Sequence, residues 1–155
     1  MITLAAAGLA GCSPAPEPLL AIERTATGDI LLVIAPCSGY RALGLYVFSD
    51  SDTGPSEVWS LSNKERIGSL GEVKFFTTPV GWEVNDTTLT ELRDPGLYVA
   101  KIDGAMGTRS LNGRMAFTAE KINKLNAGEV LTGTKGEKVM DREQFVKPSS
   151  GRCKP

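Results

Sequence analysis

Asp94-Pro95-Gly96-Leu97-Tyr98-Val99-Ala100-Lys101-Ile102 sets a turn directly before an alternating run. Proline fixes the turn backbone, and the residues after Gly96 put Tyr98, Ala100 and Ile102 on one face and Leu97, Val99 and Lys101 on the other. This predicts a strand over 97–102 with one face in a core, closed by Asp103-Gly104. Working outward, the same signal recurs. Ile30 to Ala35 is a β-branched and apolar run stopped by Pro36, suited to a strand buried on both faces. Leu43, Leu45 and Val47 alternate with Gly44, Tyr46 and Phe48, and the run ends in a polar turn over 49–56. Glu57 to Leu61 puts Trp59 and Leu61 on one side. Val73 to Thr78 forms a further strand that Pro79-Val80-Gly81-Trp82 breaks, and Arg114 to Thr118 completes the count. Short strands joined by Gly, Pro, Asn and Asp predict an all-β fold, an antiparallel β-sandwich or barrel, with no internal repeat and no second domain.

Residues 94–100 resemble the D-x-G-x-Y-x-C pattern at the tyrosine corner of immunoglobulin-like domains. The resemblance implies an immunoglobulin-like sandwich in which Asp94, Gly96 and Tyr98 build the corner. The Tyr98 ring would enter the core while its hydroxyl bonds backbone a few residues upstream. Ala100 stands where that family has its second cysteine, so the family's inter-sheet disulfide is impossible here.

The N-terminus points to a compartment. Met1 to Gly11 carries no charge and runs into Leu9-Ala10-Gly11-Cys12, followed by Ser13-Pro14-Ala15-Pro16-Glu17-Pro18. This resembles a bacterial lipoprotein signal peptide ending in a lipobox. The resemblance implies cleavage before Cys12, diacylglycerol and palmitate-type acylation on that cysteine, and a protein lipid-anchored on the extracytoplasmic face of the cell membrane. The stretch lacks the Lys or Arg that opens such signals, which predicts a start further upstream. Residues 1–11 are thus expected to be the signal, 12–21 the lipidated cysteine with a Pro-rich tether, and 22–155 a single domain. No other apolar run approaches the roughly 18 residues needed to span a bilayer. The layout, with a cysteine after the first long strand and another at the C-terminus, also resembles small lipoproteins of high-GC Gram-positive bacteria, a likeness that implies no activity.

With Cys12 assigned to lipid, Cys37 and Cys153 are an even pair in an oxidising space and are predicted to be bonded. The remaining composition excludes more than it assigns. Among 155 residues there are 17 Lys+Arg, 18 Asp+Glu and no His. Near-balanced charge argues against a strongly basic nucleic-acid binder, and His-based triads and His-containing zinc sites are impossible. Residues 12–119 hold 9 Lys+Arg and 13 Asp+Glu, whereas 120–155 hold 8 and 5. That basic tail, with Lys135, Lys138, Lys147, Arg152 and Lys154, either touches anionic lipid or wall polymer or forms a solvated face, and its interleaved acids favour the face.

Motif-like strings yield little chemistry. Asp52-Thr53-Gly54 is similar to the aspartic-protease motif but lacks its neighbours and a second copy. Asp50-Ser51-Asp52 is similar to aspartyl-nucleophile phosphatases without their βα alternation, and offers too few ligands for an EF-hand. Gly128 to Lys135 approaches a P-loop with Thr134 and Lys135 transposed, so a hairpin turn is the better account. Asn85-Asp86-Thr87 reads as a loop. Trp59 or Trp82, if exposed, would offer sugars a stacking platform, but large aromatics favour the core. At the C-terminus Asp141-Arg142-Glu143-Gln144 fits a capping box, Met140 and Phe145 the hydrophobic staple, and Pro148 the stop of a short helix acting as a structural clasp. The expected function is a non-enzymatic binding or structural module of the envelope, acting on a protein or polymer, with no catalytic residue, cofactor or metal. The alternative is an envelope hydrolase using the Asp50 and Asp52 carboxylates.

Overall fold

Leu20, Ile22, Leu32 and Ile34 share one face of two paired strands and are almost completely buried, which makes this pair the floor of the core. A computed structural model describes residues 17–50, 56–66, 68–149 and 151–154. The expected signal peptide, Cys12 and Asp52 lie outside these. The strands are β1 (Leu20–Arg24), β2 (Ile30–Ile34), β3 (Tyr40–Ser49), β4 (Val58–Ser62), β5 (Glu72–Lys74), β6 (Glu83–Thr87), β7 (Leu97–Met106), β8 (Arg109–Ser110) and β9 (Gly113–Thr118). Helix α1 (Ala119–Asn123), strands β10 (Glu129–Thr132) and β11 (Lys138–Asp141), and helix α2 (Arg142–Phe145) follow. One antiparallel sheet has the order β11-β10-β1-β2-β5. The other runs β6-β4-β3-β7, and β7 then pairs with both β8 and β9. Two such sheets packed face to face are the expected all-β sandwich.

The second sheet supplies Tyr40, Ala42, Leu45, Val47, Trp59, Leu61, Tyr98, Ala100 and Ile102 to the core. Leu43, which alternates in step with Leu45 and Val47 in the sequence, is only half-buried. A register shift between Ala42 and Gly44 leaves it opposite no partner, so even positions face inward before the bulge and odd ones after it. An aromatic cluster ties the layers together. Phe75 lies 6.0 Å from Trp59 and 6.1 Å from Phe117, ring centre to ring centre, and Phe117 stacks on Tyr98 at 5.7 Å. Trp82 is buried as well, so neither tryptophan forms an exposed sugar platform.

Other expected boundaries move for identifiable reasons. The strand at 73–78 stops at Lys74, because Phe76 turns back with φ 61° and packs edge-on to Trp59 at 5.5 Å. The turn expected at Asp103-Gly104 is absent. β7 continues through both to Met106, and Gly104 is required there because a Cβ would fall 2.4 Å from the Tyr40 ring. β1 begins two residues before the expected domain start at 22, with Leu19 already buried. Asn85-Asp86-Thr87 belongs to edge strand β6 instead of a loop. Helix α1, with Thr118 Oγ1 accepting from the Lys121 N–H at 3.3 Å, was not anticipated. Gly128 to Lys135 does enter a hairpin, with β10 pairing to β11 around the turn at 133–136.

The tyrosine corner is present. The Arg93 N–H donates to the Tyr98 hydroxyl at 2.6 Å, and that hydroxyl donates to the Arg93 carbonyl at 3.1 Å. Gly96 is needed beneath it, since a Cβ would meet the Tyr98 ring at 2.7 Å. The corner starts β7, which sits between β3 and β9, while β10 and β11 extend the first sheet past β1. Tyr98→Phe removes both hydrogen bonds to the Arg93 backbone at once. It is expected to lower stability by about 1–3 kcal/mol in urea unfolding, and an unchanged midpoint would show that the hydroxyl is dispensable.

Candidate functional site

Register puts Ala21, Val33, Val130 and Thr132 on the outer face of the first sheet, and all four are nonetheless buried. The C-terminal segment covers this face. Arg142 reaches across it from the end of β11, with Nε 2.8 Å from the Glu23 carboxylate and Nη2 paired to Glu72. Phe145 is fully buried, and α2 packs on β10 and β11. Cys153 then bonds Cys37 with Cα atoms 5.5 Å apart, as the cysteine arithmetic predicts. The segment is therefore the expected clasp. Its cap differs from expectation. Asp141 holds the N-cap position, but its side chain makes no capping hydrogen bond to Gln144; the Arg142 N–H donates instead to the Gly128 carbonyl at 2.8 Å. A helix of one turn entered directly from a paired strand takes its orientation from the β10–β11 hairpin.

Arg152 completes the fastening. Its guanidinium lies 4.6 Å over the Phe145 ring, donates to the Phe145 carbonyl and holds the Glu17 carboxylate at 3.1 Å. Only 9% of the side chain is exposed, so this member of the basic tail is withdrawn from any lipid or polymer surface.

Between the clasp and the rest of the sheet runs a groove of about 930 Å³. Val33 and Ala35 line it with Val146 and Pro148 of the clasp, and Glu72, Arg142 and the Cys37–Tyr40 turn complete it. The lining is mostly apolar and its one guanidinium is already matched by two carboxylates. Such a groove suits an apolar or amphipathic group better than an anion. Tyr40 stands at one end with its hydroxyl buried and without a hydrogen-bond partner among the described residues. Burial pushes that phenol well above its ordinary pKa of 10.0, and Asp103 adds a smaller push in the same direction. The folded state therefore keeps a proton that the unfolded chain releases, so stability falls as pH rises past the ordinary value. Tyr40→Phe is expected to leave stability unchanged or raise it at neutral pH and to reduce the alkaline loss. Thermal melts at neutral and alkaline pH check both, and a lower melting temperature at neutral pH would contradict the reading.

A second depression of about 500 Å³ holds the alternative chemistry. Asp50 and Glu57 line it with Arg93 beside the tyrosine corner. Arg93 lies 3.5 Å from Glu57 and 2.9 Å from Glu91, and these acids hold its pKa above the ordinary value, the Glu91 hydrogen bond most strongly. The Glu57 carboxylate thus faces a cation. Among the described residues no group of His, Cys, Asp and Glu side chains is arranged to hold a metal ion. Sequence reasoning missed the groove because Val33, Glu72 and Arg142 meet only through sheet order and the clasp. Its nearest local signal was the cysteine pair. Compared with protein-family models, with curated proteins and with solved structures, the chain matches none.

Proposed function

We propose that the chain is a lipid-anchored, extracytoplasmic envelope protein whose sandwich works as a non-enzymatic binding module. The observation that carries this reading is the Cys37–Cys153 bond, which belongs to an oxidising compartment, in a chain whose other cysteine, Cys12, ends a lipobox. Glu17, five residues beyond Cys12, is held to the domain by Arg152, so the Pro-rich stretch before it serves as a short leash. The non-enzymatic part is supported by Glu57, whose carboxylate at the Asp50 depression faces Arg93. The groove beside the clasp offers a concave surface to an envelope protein or polymer.

Expression with the native leader in a bacterium, followed by membrane fractionation and intact mass, tests the anchor. A mature chain beginning at Cys12 with diacylglycerol mass, lost to the soluble fraction in Cys12→Ser, is the expected result. An unmodified Cys12 in a soluble wild-type chain would overturn the proposal.

A further inference from the structure

Three cations from distant parts of the sequence lie at the end of the domain where the leash enters, Arg41 and Arg109 on opposite faces of the second sheet. Lys154 adjoins Cys153, which is bonded to Cys37. The Cys37 carbonyl accepts from the Tyr40 N–H at 3.0 Å, and Arg41 is the next residue. Tyr40 pairs with Met106, and Met106 pairs with Arg109 on β8. Arg41, Arg109 and Lys154 are all exposed, and none has an ion-pair partner among the described residues. Elsewhere Lys64, Lys74, Arg93 and Lys124 are each matched by a carboxylate, whereas Arg24, Lys101, Arg114, Lys135 and Lys138 have no such partner among the described residues. Glu17 and Glu72 are already engaged by Arg152 and Arg142, and Asp103 is half-buried.

We infer that this end of the domain lies on an anionic membrane surface, with Arg41, Arg109 and Lys154 bound to lipid phosphates. The inference rests on the anchor reading above, which supplies the membrane. Five residue steps from Cys12 to Glu17 reach at most about 18 Å, whatever their conformation. Surface charge acts over about 8–10 Å at physiological salt. A domain leashed that closely, at that end, brings these three side chains into the charged layer before any other part of its surface. Lys147, exposed on the clasp, adds to the same end, whereas Lys135 and Lys138 belong to the β10–β11 hairpin.

The acylated full chain, incorporated into phosphatidylcholine vesicles with and without phosphatidylglycerol, is labelled with phenylglyoxal and with an acetylating reagent and read by peptide mass spectrometry. On the anionic vesicles Arg41, Arg109 and Lys154 should be modified about five-fold more slowly, the effect of one basic residue's attraction to such a surface. Lys124 should be unaffected, because α1 follows Thr118 at the Leu97 end of ten-residue β7 while Arg109 pairs at the other. High salt should abolish the difference. Arg41→Ser with Arg109→Ser, both at exposed positions, should weaken the protection of Lys154. Equal labelling on the two vesicles, or protection of Lys154 undiminished by the double substitution, would overturn the inference. Intact mass of the same sample reads the anchor separately. A chain without the acyl mass removes the anchor reading and this inference with it, while an acylated chain with equal labelling removes only the inference.

Discussion

Replacing Cys37 and Cys153 together by serine lowers the unfolding free energy by about 5 kcal/mol at most, and by about 2 kcal/mol if the reduced, unfolded chain keeps residual structure. The magnitude follows from position. The two residues are separated by 116 positions, so the bond removes from the unfolded chain the freedom of a loop that is most of the protein. For a domain of this size the loss corresponds to about 10–20 °C in melting temperature at the upper figure. Calorimetry of the double variant beside the wild type measures it, and coincident melts would show that the clasp stays docked without its covalent tie. The fold itself should survive, since the core between the sheets includes neither cysteine among its fully buried members.

Phe145→Ala has the other large effect, about 3–5 kcal/mol, because the ring is completely buried. Here the ring also seats the Arg152 guanidinium, so its loss loosens the hold on Glu17. The two substitutions should not add. Without the disulfide the segment from 142 onward is held only by noncovalent contacts, and once it undocks Phe145 no longer reports on it. Phe145→Ala in the serine background should therefore cost much less than in the wild type, with a coupling of about 1–3 kcal/mol in a double-mutant cycle. Strict additivity would mean that Phe145 is anchored through the β10–β11 hairpin alone.

What the sequence made legible follows from how locally each feature is encoded. Ile30–Ile34, Val58–Ser62 and Gly113–Thr118 are β-branched or alternating runs and were readable within a residue or two. The tyrosine corner was readable because turn and ring lie four residues apart. β1 was not, because Leu20–Arg24 follows three closely spaced prolines and its apolar residues merge with the tether in a linear reading. β6 was hidden for the opposite reason. Its sequence Glu83-Val84-Asn85-Asp86-Thr87 has no buried face, and only pairing with β4 makes it a strand. Gly104 looked like a turn because glycine usually marks one, whereas its role is to leave room for Tyr40 across the sheet. The groove and the three cations at one end depend on the placement of residues up to a hundred positions apart, which no local pattern encodes.

The staple also fixes what a protease can do to this molecule. Every peptide bond between Cys37 and Cys153 lies inside one covalent ring, so a single cut anywhere in that span produces two fragments that remain joined. Both sheets would still be complete, because the first is built from β1, β2 and β5 on one side of the chain and β10 and β11 on the other. On a gel such a nicked protein runs as one chain until it is reduced. Damage to a loop would therefore not shed the C-terminal half from the half that carries Cys12.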